Sequence, residues 1–121
     1  MSDFLKEEKS SSIDPNPKTH QLKSAAPTLN HLSIKKAGLI LRAINHKLRQ
    51  EIIQFIDGKG QVTVTEIFVD MRLEQSVASQ HLAILRRAGI VKTKREGKYM
   101  YYSLNLERLE LLNHLVTELM K

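Results

Sequence analysis

Residues 75–81, QSVASQH, carry amide, hydroxyl and imidazole side chains at the front of an amphipathic pattern. Such groups form hydrogen bonds with DNA base edges or with phosphates. Behind them, apolar residues recur at i, i+4 and i+7, namely Ala78, Leu82 and Leu85. This spacing predicts a helix over about Gln75 to Ala88, with Gly89 as its stop.

A basic segment follows this helix directly. Six cations lie within thirteen residues and only Glu96 opposes them: Arg86, Arg87, Lys92, Lys94, Arg95 and Lys98. The β-branched and aromatic runs 90–94 and 99–104 flank REGK, which predicts a β-hairpin with a turn at the glycine. Taken alone, the charge run fits a solvated surface. Beside a polar helix, it predicts a basic ribbon whose tip can reach the phosphate backbone or the minor groove.

The tyrosines of the second run allow two interpretations. Strand alternation places Met100, Tyr102 and Leu104 on one face, toward the core, with Tyr99 and Tyr101 on the other. Exposed tyrosines can stack on the bases of a single strand. We favour core packing and phosphate contact over stacking for these tyrosines.

The remaining elements must position this helix and hairpin. A first helix spans about 30–44, and a second is capped by Asn45 and ended by Gly58. After a loop, 63–73 begins with a threonine cap and turns Ile67, Phe68 and Met71 inward. A tight turn, LEQS, then leads into the polar helix, which is the helix-turn-helix pattern. The last helix carries more leucine than a small domain buries, so we expect part of it to meet a partner.

Composition restricts the class of protein. The chain has 121 residues, a net charge of +6 and no cysteine. The four lysines of residues 1–33 are balanced by four acids, so the basic excess lies in the foldable part and favours a polyanionic partner. The absence of cysteine excludes disulfides and thiolate sites. We predict a disordered tail over 1–29, a single domain over 30–121, and a cytoplasmic protein without a membrane span.

The run LEQSVASQHLAILRRAGIVKTKREGKYMYYSL resembles the signature of the ArsR/SmtB family of bacterial repressors in its Ser, His-Leu, Leu, Ala-Gly and Tyr-Tyr. The resemblance covers about 30–121. It implies a mainly α winged helix-turn-helix with a small β-hairpin wing, a homodimer joined through its first and last helices, and binding to an operator in double-stranded DNA. The positions that it assigns to DNA contact are Gln75, Ser76, Ser79, Gln80 and His81 on the helix and Lys94, Arg95 and Lys98 on the wing.

The sequence departs from the metal-sensing members of that family. Where sensors of arsenic, cadmium or lead carry a Cys-x-Cys, this chain has Phe68 and Asp70 with Val69 between them. The family's zinc positions on the last helix are also not matched, so we assign no metal site and no cofactor. One alternative stays open: Glu110, His114 and Glu118 share a helix face and could hold a metal effector across a dimer, or simply keep the helix soluble.

We therefore predict a sequence-specific DNA-binding regulator, of the repressor type that the resemblance implies, whose effector the sequence does not identify. An effector would act by binding one dimer conformation better than another. The second hypothesis is a protein-interaction module with weak, sequence-blind DNA binding. No nucleophile with a paired base and no phosphate-binding glycine loop is present, so we do not expect an enzyme.

Overall fold

The computed structural model describes residues 26–121. Residues 26–30 form no helix or strand, and the predicted tail over 1–29 otherwise lies outside the described residues. The elements in chain order are α1 (His31–Ile44), α2 (Lys47–Lys59), β1 (Gln61–Thr63), α3 (Val64–Asp70), α4 (Gln75–Arg87), β2 (Val91–Glu96), β3 (Tyr99–Leu104) and α5 (Leu106–Leu119). This is the predicted order of helices and hairpin, with one additional strand.

Both predicted boundaries of α2 were wrong by a short distance. The helix is capped by His46, whose Nδ1 accepts hydrogen bonds from the backbone N–H groups of Leu48 and Arg49 at 3.2 and 3.4 Å. Asn45 is not the cap. The helix runs past Gly58 and ends at Gly60, whose φ of +87° is a conformation that glycine adopts without strain.

The strand β1 was predicted as loop. It pairs antiparallel with β3, and Val62 faces Tyr102 across the pair. The sheet order is β1-β3-β2, so the wing hairpin is anchored by a third strand. Val62 is fully buried, which explains why a segment of three residues is held in extended form. The hairpin itself has the predicted position, although β2 extends to Glu96 and leaves only Gly97 and Lys98 in the turn.

The helix-turn-helix is formed by α3 and α4. A capping box starts α3, because Thr63 Oγ1 accepts from the N–H of Glu66 while the Glu66 carboxylate accepts from the N–H of Thr63. Ala78, Leu82 and Leu85 of α4 are buried as predicted. They join a core that the other elements supply: Ile52, Ile56, Val62, Ile67, Ile90, Val91, Leu104 and Leu112.

The end of α4 is a Schellman motif. Ile90 N–H donates to the carbonyl of Leu85 and Gly89 N–H to that of Arg86, at 2.9 Å each, with Gly89 at a φ of +76°. This confirms Gly89 as the stop of the helix. The Arg108 guanidinium lies 3.3 Å from where a Cβ on Gly89 would sit, so α5 packs directly on this turn.

The first and last helices leave apolar surface uncovered in the single chain. On α1 the exposed residues are Leu32, Ile34 and Leu39, and on α5 they are Leu106, Leu111, Leu115, Val116 and Leu119. Only Ala43 of α1 and Leu112 of α5 are buried. Within residues 26–121, no helix is long and apolar enough to cross a membrane.

Candidate nucleic-acid interface

Four of the predicted contact residues of α4 are exposed together. Gln75, Ser76, Ser79 and Gln80 all lie on the solvent side of the first two turns of α4. Opposite them, Ala78 and Leu82 anchor the helix in the core. None of the four side chains hydrogen-bonds to another of the described residues. The polar groups are therefore available to an external partner.

His81 differs from this group. Its imidazole is half-buried, and its Nδ1 lies 3.1 Å from Nη1 of Arg49, with the ring centroid 4.8 Å from that of His46. A guanidinium only donates, so Nδ1 must accept. Burial, together with the nearby His46 and Arg49, lowers the pKa of His81. The neutral imidazole ring faces α2, and its Nδ1 is occupied by the hydrogen bond from Arg49.

Arg49 was not identified from the sequence. It is only 8% exposed, and besides His81 it donates to two carbonyls near the end of α1, with Nε 2.6 Å from Ala43 O and Nη2 3.2 Å from Arg42 O. Both carbonyls belong to the last turn of the helix, and the Arg42 carbonyl also accepts from the N–H of Asn45 at 3.2 Å. Arg49 therefore connects α1, α2 and α4. The sequence feature that could have predicted its burial is its spacing: Arg49 lies three residues before Ile52 and seven before Ile56, on the apolar face of α2.

The wing presents its cations unequally. Lys94 pairs with the Glu96 carboxylate at 3.1 Å, and Lys98 lies 5.6 Å from the centroid of the Tyr99 ring. Arg95 is exposed and has no ion pair among residues 26–121. The two-residue turn at Gly97, with a φ of +62°, brings these side chains to the tip of the hairpin. Arg95 is consequently the freest of the three predicted wing contacts.

The candidate metal ligands of α5 do not form a site within one chain. Glu110, His114 and Glu118 are exposed, and Glu118 pairs with Lys121 at 3.0 Å. Across residues 26–121, no three His, Asp or Glu side chains come close enough to share a metal ion. A site built from two copies remains a hypothesis.

The tertiary arrangement defines a winged helix-turn-helix: an exposed polar helix on a three-helix scaffold, with a basic hairpin beside it. Comparison with known families matches residues 46–93 to the arsR family of bacterial regulatory proteins. An HTH-type transcriptional regulator of Methanocaldococcus jannaschii is 33% identical over 85 residues, which cover 70% of this chain and 96% of that protein. The chain belongs to the ArsR family of transcriptional regulators.

Two further relatives differ in the direction of their regulation. The transcriptional activator HlyU of Vibrio cholerae is 33% identical over 85 residues, covering 69% of this chain and 77% of that protein. The crystal structure of the transcriptional repressor PagR of Bacillus anthracis has a TM-score of 0.59 and 29% identity, covering 72% of this chain and 99% of that one. The fold is thus shared by proteins that activate and proteins that repress.

Proposed function

We propose that this protein is a repressor that binds an operator in double-stranded DNA as a homodimer. The observation that carries the proposal is the exposed polar face of α4, set beside a wing whose Arg95 has no acidic partner among the described residues. In this assignment Gln75, Ser76, Ser79 and Gln80 contact base edges or phosphates in the major groove. Lys94, Arg95 and Lys98 contact phosphates from the wing.

His81 has a different part in this proposal. Its Nδ1 already accepts from Arg49, so only the opposite side of the ring remains for DNA. We assign His81 to holding α4 at a fixed angle on the scaffold. The bases are read by the exposed residues that precede it.

Dimerisation through α1 and α5 is supported by their apolar surface. Monomers rarely leave so many large aliphatic side chains exposed on adjacent turns, and a second copy would cover them. A twofold dimer places two copies of α4 on one side, which suits an operator with two related half-sites. We assign the protein to the cytoplasm, where the proposed operator DNA lies. We propose no effector.

Selection from a random pool of duplex DNA tests sequence specificity and yields the operator sequence itself. The wild-type protein is expected to enrich one palindromic sequence. Fluorescence anisotropy then compares that sequence with a scrambled one. Enrichment of no sequence, with equal weak binding to both duplexes, would refute the proposal and favour the interaction module.

Gln80→Ala tests base recognition in the same assay. Loss of one good base contact is worth about 1–3 kcal/mol, so the variant is expected to lose preference at one position of each half-site. Gln54→Ala removes the same amide from an exposed position of α2 and serves as the matched control. Equal loss on enriched and scrambled DNA would show that Gln80 contacts phosphate.

A further inference from the structure

A cleft of about 390 Å³ lies between the last turns of α4 and the middle strand of the wing. Five of its lining residues follow one face of α4, and the sixth comes from β3: Ser79, Leu82, Ala83, Arg86, Arg87 and Tyr102. Leu82 belongs to the core and forms the floor. The rim is polar and carries two guanidinium groups.

The charge of this cleft is not neutralised by any of the residues that the structure describes. Arg86 and Arg87 are exposed, and neither side chain has an ion pair or hydrogen bond to the part of the chain that the structure describes. No carboxylate lines the cleft, and the nearest wing acid in sequence, Glu96, is held by Lys94. The hydroxyl of the half-buried Tyr102 likewise has no hydrogen-bond partner among residues 26–121. Cations and a hydroxyl together fit the oxygens of a phosphodiester.

The register of the wing extends this surface toward the tip. Tyr102 pairs with Thr93, and Met100 pairs with Arg95, so strand alternation puts Arg95 on the same sheet face as Tyr102. Arg86 and Arg87 line the cleft itself, and Arg95 lies on the same sheet face as Tyr102, two positions beyond Thr93 toward the tip. A recognition helix in the major groove and a ribbon tip in the next minor groove are separated by one sugar–phosphate strand, which forms the ridge between the grooves.

We propose that this cleft seats that strand of double-stranded DNA, with Arg86, Arg87 and the Tyr102 hydroxyl bound to its phosphates. The proposal rests on the proposed function and adds a third contact region to the polar face of α4 and the wing. The two arginines also sit at a helix C-terminus, where cations are favourable without any ligand. If the arginines only stabilise the helix C-terminus, their removal should leave the salt dependence of DNA binding unchanged.

The salt dependence of binding separates the two roles. Each phosphate contact on B-DNA adds about 0.9 to the slope of log K against log salt. The double variant Arg86→Gln with Arg87→Gln is expected to lower the slope by roughly 1.8 units per subunit, or about 3.6 for the bound dimer, and to weaken enriched and scrambled DNA alike. Arg86→Lys with Arg87→Lys keeps both charges and is expected to keep the slope.

The matched control is Lys47→Gln with Lys59→Gln, which removes the same charge from exposed positions of α2, away from the proposed dimer face of α1. If the Arg86 and Arg87 glutamine variant has the slope of this control, the arginines do not contact phosphates and the proposal is overturned. A loss confined to the enriched sequence would overturn it as well, because it would indicate base recognition. The slope is also measured on scrambled DNA, so the result can be read even if the proposed sequence specificity fails.

Tyr102→Phe removes only the hydroxyl. It is expected to weaken binding to both duplexes by at least about tenfold per subunit, the factor for one hydrogen bond to a charged acceptor, with the slope unchanged. Tyr101→Phe is the control on the opposite face of the same strand. Equal binding by the two variants would remove Tyr102 from the contact.

Discussion

Replacement of the buried Arg49 by methionine should destabilise this protein strongly. Methionine has a similar length and fills apolar space, but it donates no hydrogen bond. The Nε bond to Ala43 O, at 2.6 Å, is then lost together with the bonds to Arg42 O and His81. Ala43 is only 3% exposed, so water cannot readily replace the arginine.

The size of the effect follows from these contacts. A buried acceptor left without a partner costs about 1–3 kcal/mol. The Ala43 carbonyl meets that condition fully and the Nδ1 of His81 meets it in part, whereas the Arg42 carbonyl keeps its bond from the Asn45 N–H, so the loss is roughly 2–4 kcal/mol. A domain of this size is stable by about 5–10 kcal/mol, so a substantial fraction disappears. Arg49→Lys should fall between, because one ammonium cannot reach three acceptors as the planar guanidinium does.

The assay is urea unfolding followed by circular dichroism at a fixed protein concentration, because dimerisation makes apparent stability depend on concentration. Arg95→Met, at an exposed position of the wing without an ion pair among residues 26–121, is the matched control and should change little. If the free energy of unfolding of Arg49→Met lies within about 0.5 kcal/mol of that of the control, which is the range typical of surface substitutions, then Arg49 does not hold the three helices together.

Three further predictions use the same assay. The pKa of His81 is lowered from 6.5 in the folded protein, so as the pH falls the unfolded chain binds a proton at this histidine before the folded chain does. The free energy of unfolding should therefore be highest above pH 6.5 and decrease as the pH falls below that value. His81→Gln should make the free energy of unfolding depend less on pH. Gly89→Ala should cost about 1–2 kcal/mol for the positive φ alone, and more because the new Cβ meets the Arg108 guanidinium at 3.3 Å. Thr63→Ala should cost about 1 kcal/mol by removing the side-chain acceptor of the capping box with Glu66.

Controls for these variants are available in the same chain. Gly58→Ala lies inside α2 with open space around it, so it should be neutral or slightly stabilising. Thr65→Ala removes an exposed hydroxyl within α3 and leaves the cap intact. A Gly89→Ala variant as stable as Gly58→Ala, or a Thr63→Ala variant as stable as Thr65→Ala, would contradict the respective prediction. If the free energy of unfolding of His81→Gln depends on pH as strongly as that of the wild type, the prediction for His81 is contradicted.

Local sequence was sufficient to predict most of the elements. The period of Ala78, Leu82 and Leu85 predicted α4 and its buried face, since that face is repeated every turn of a helix. Gly89 predicted the end of α4, because only a residue that accepts a positive φ closes a helix in this way. Alternating aromatic residues predicted the hairpin and the inward face of β3.

Contacts between distant residues decided the rest. The three residues of β1 carry too little pattern to be recognised, and they are extended because β3 pairs with them some forty positions later. Asn45 is a residue type that commonly caps helices, but the backbone geometry places the cap one residue later, at His46.

The different roles of the residues in the candidate site also depend on tertiary contacts. Gln80 and His81 are adjacent polar residues in the chain, yet one faces solvent and the other meets Arg49 from α2. The charge of Arg49 concealed a buried residue, because sequence patterns classify it as surface. The sequence by itself therefore determined which helix is polar and which strand is basic, since those properties repeat locally. Only the packing of α1, α2 and α4 decided which polar groups stay free, because a hydrogen bond between helices depends on their relative placement.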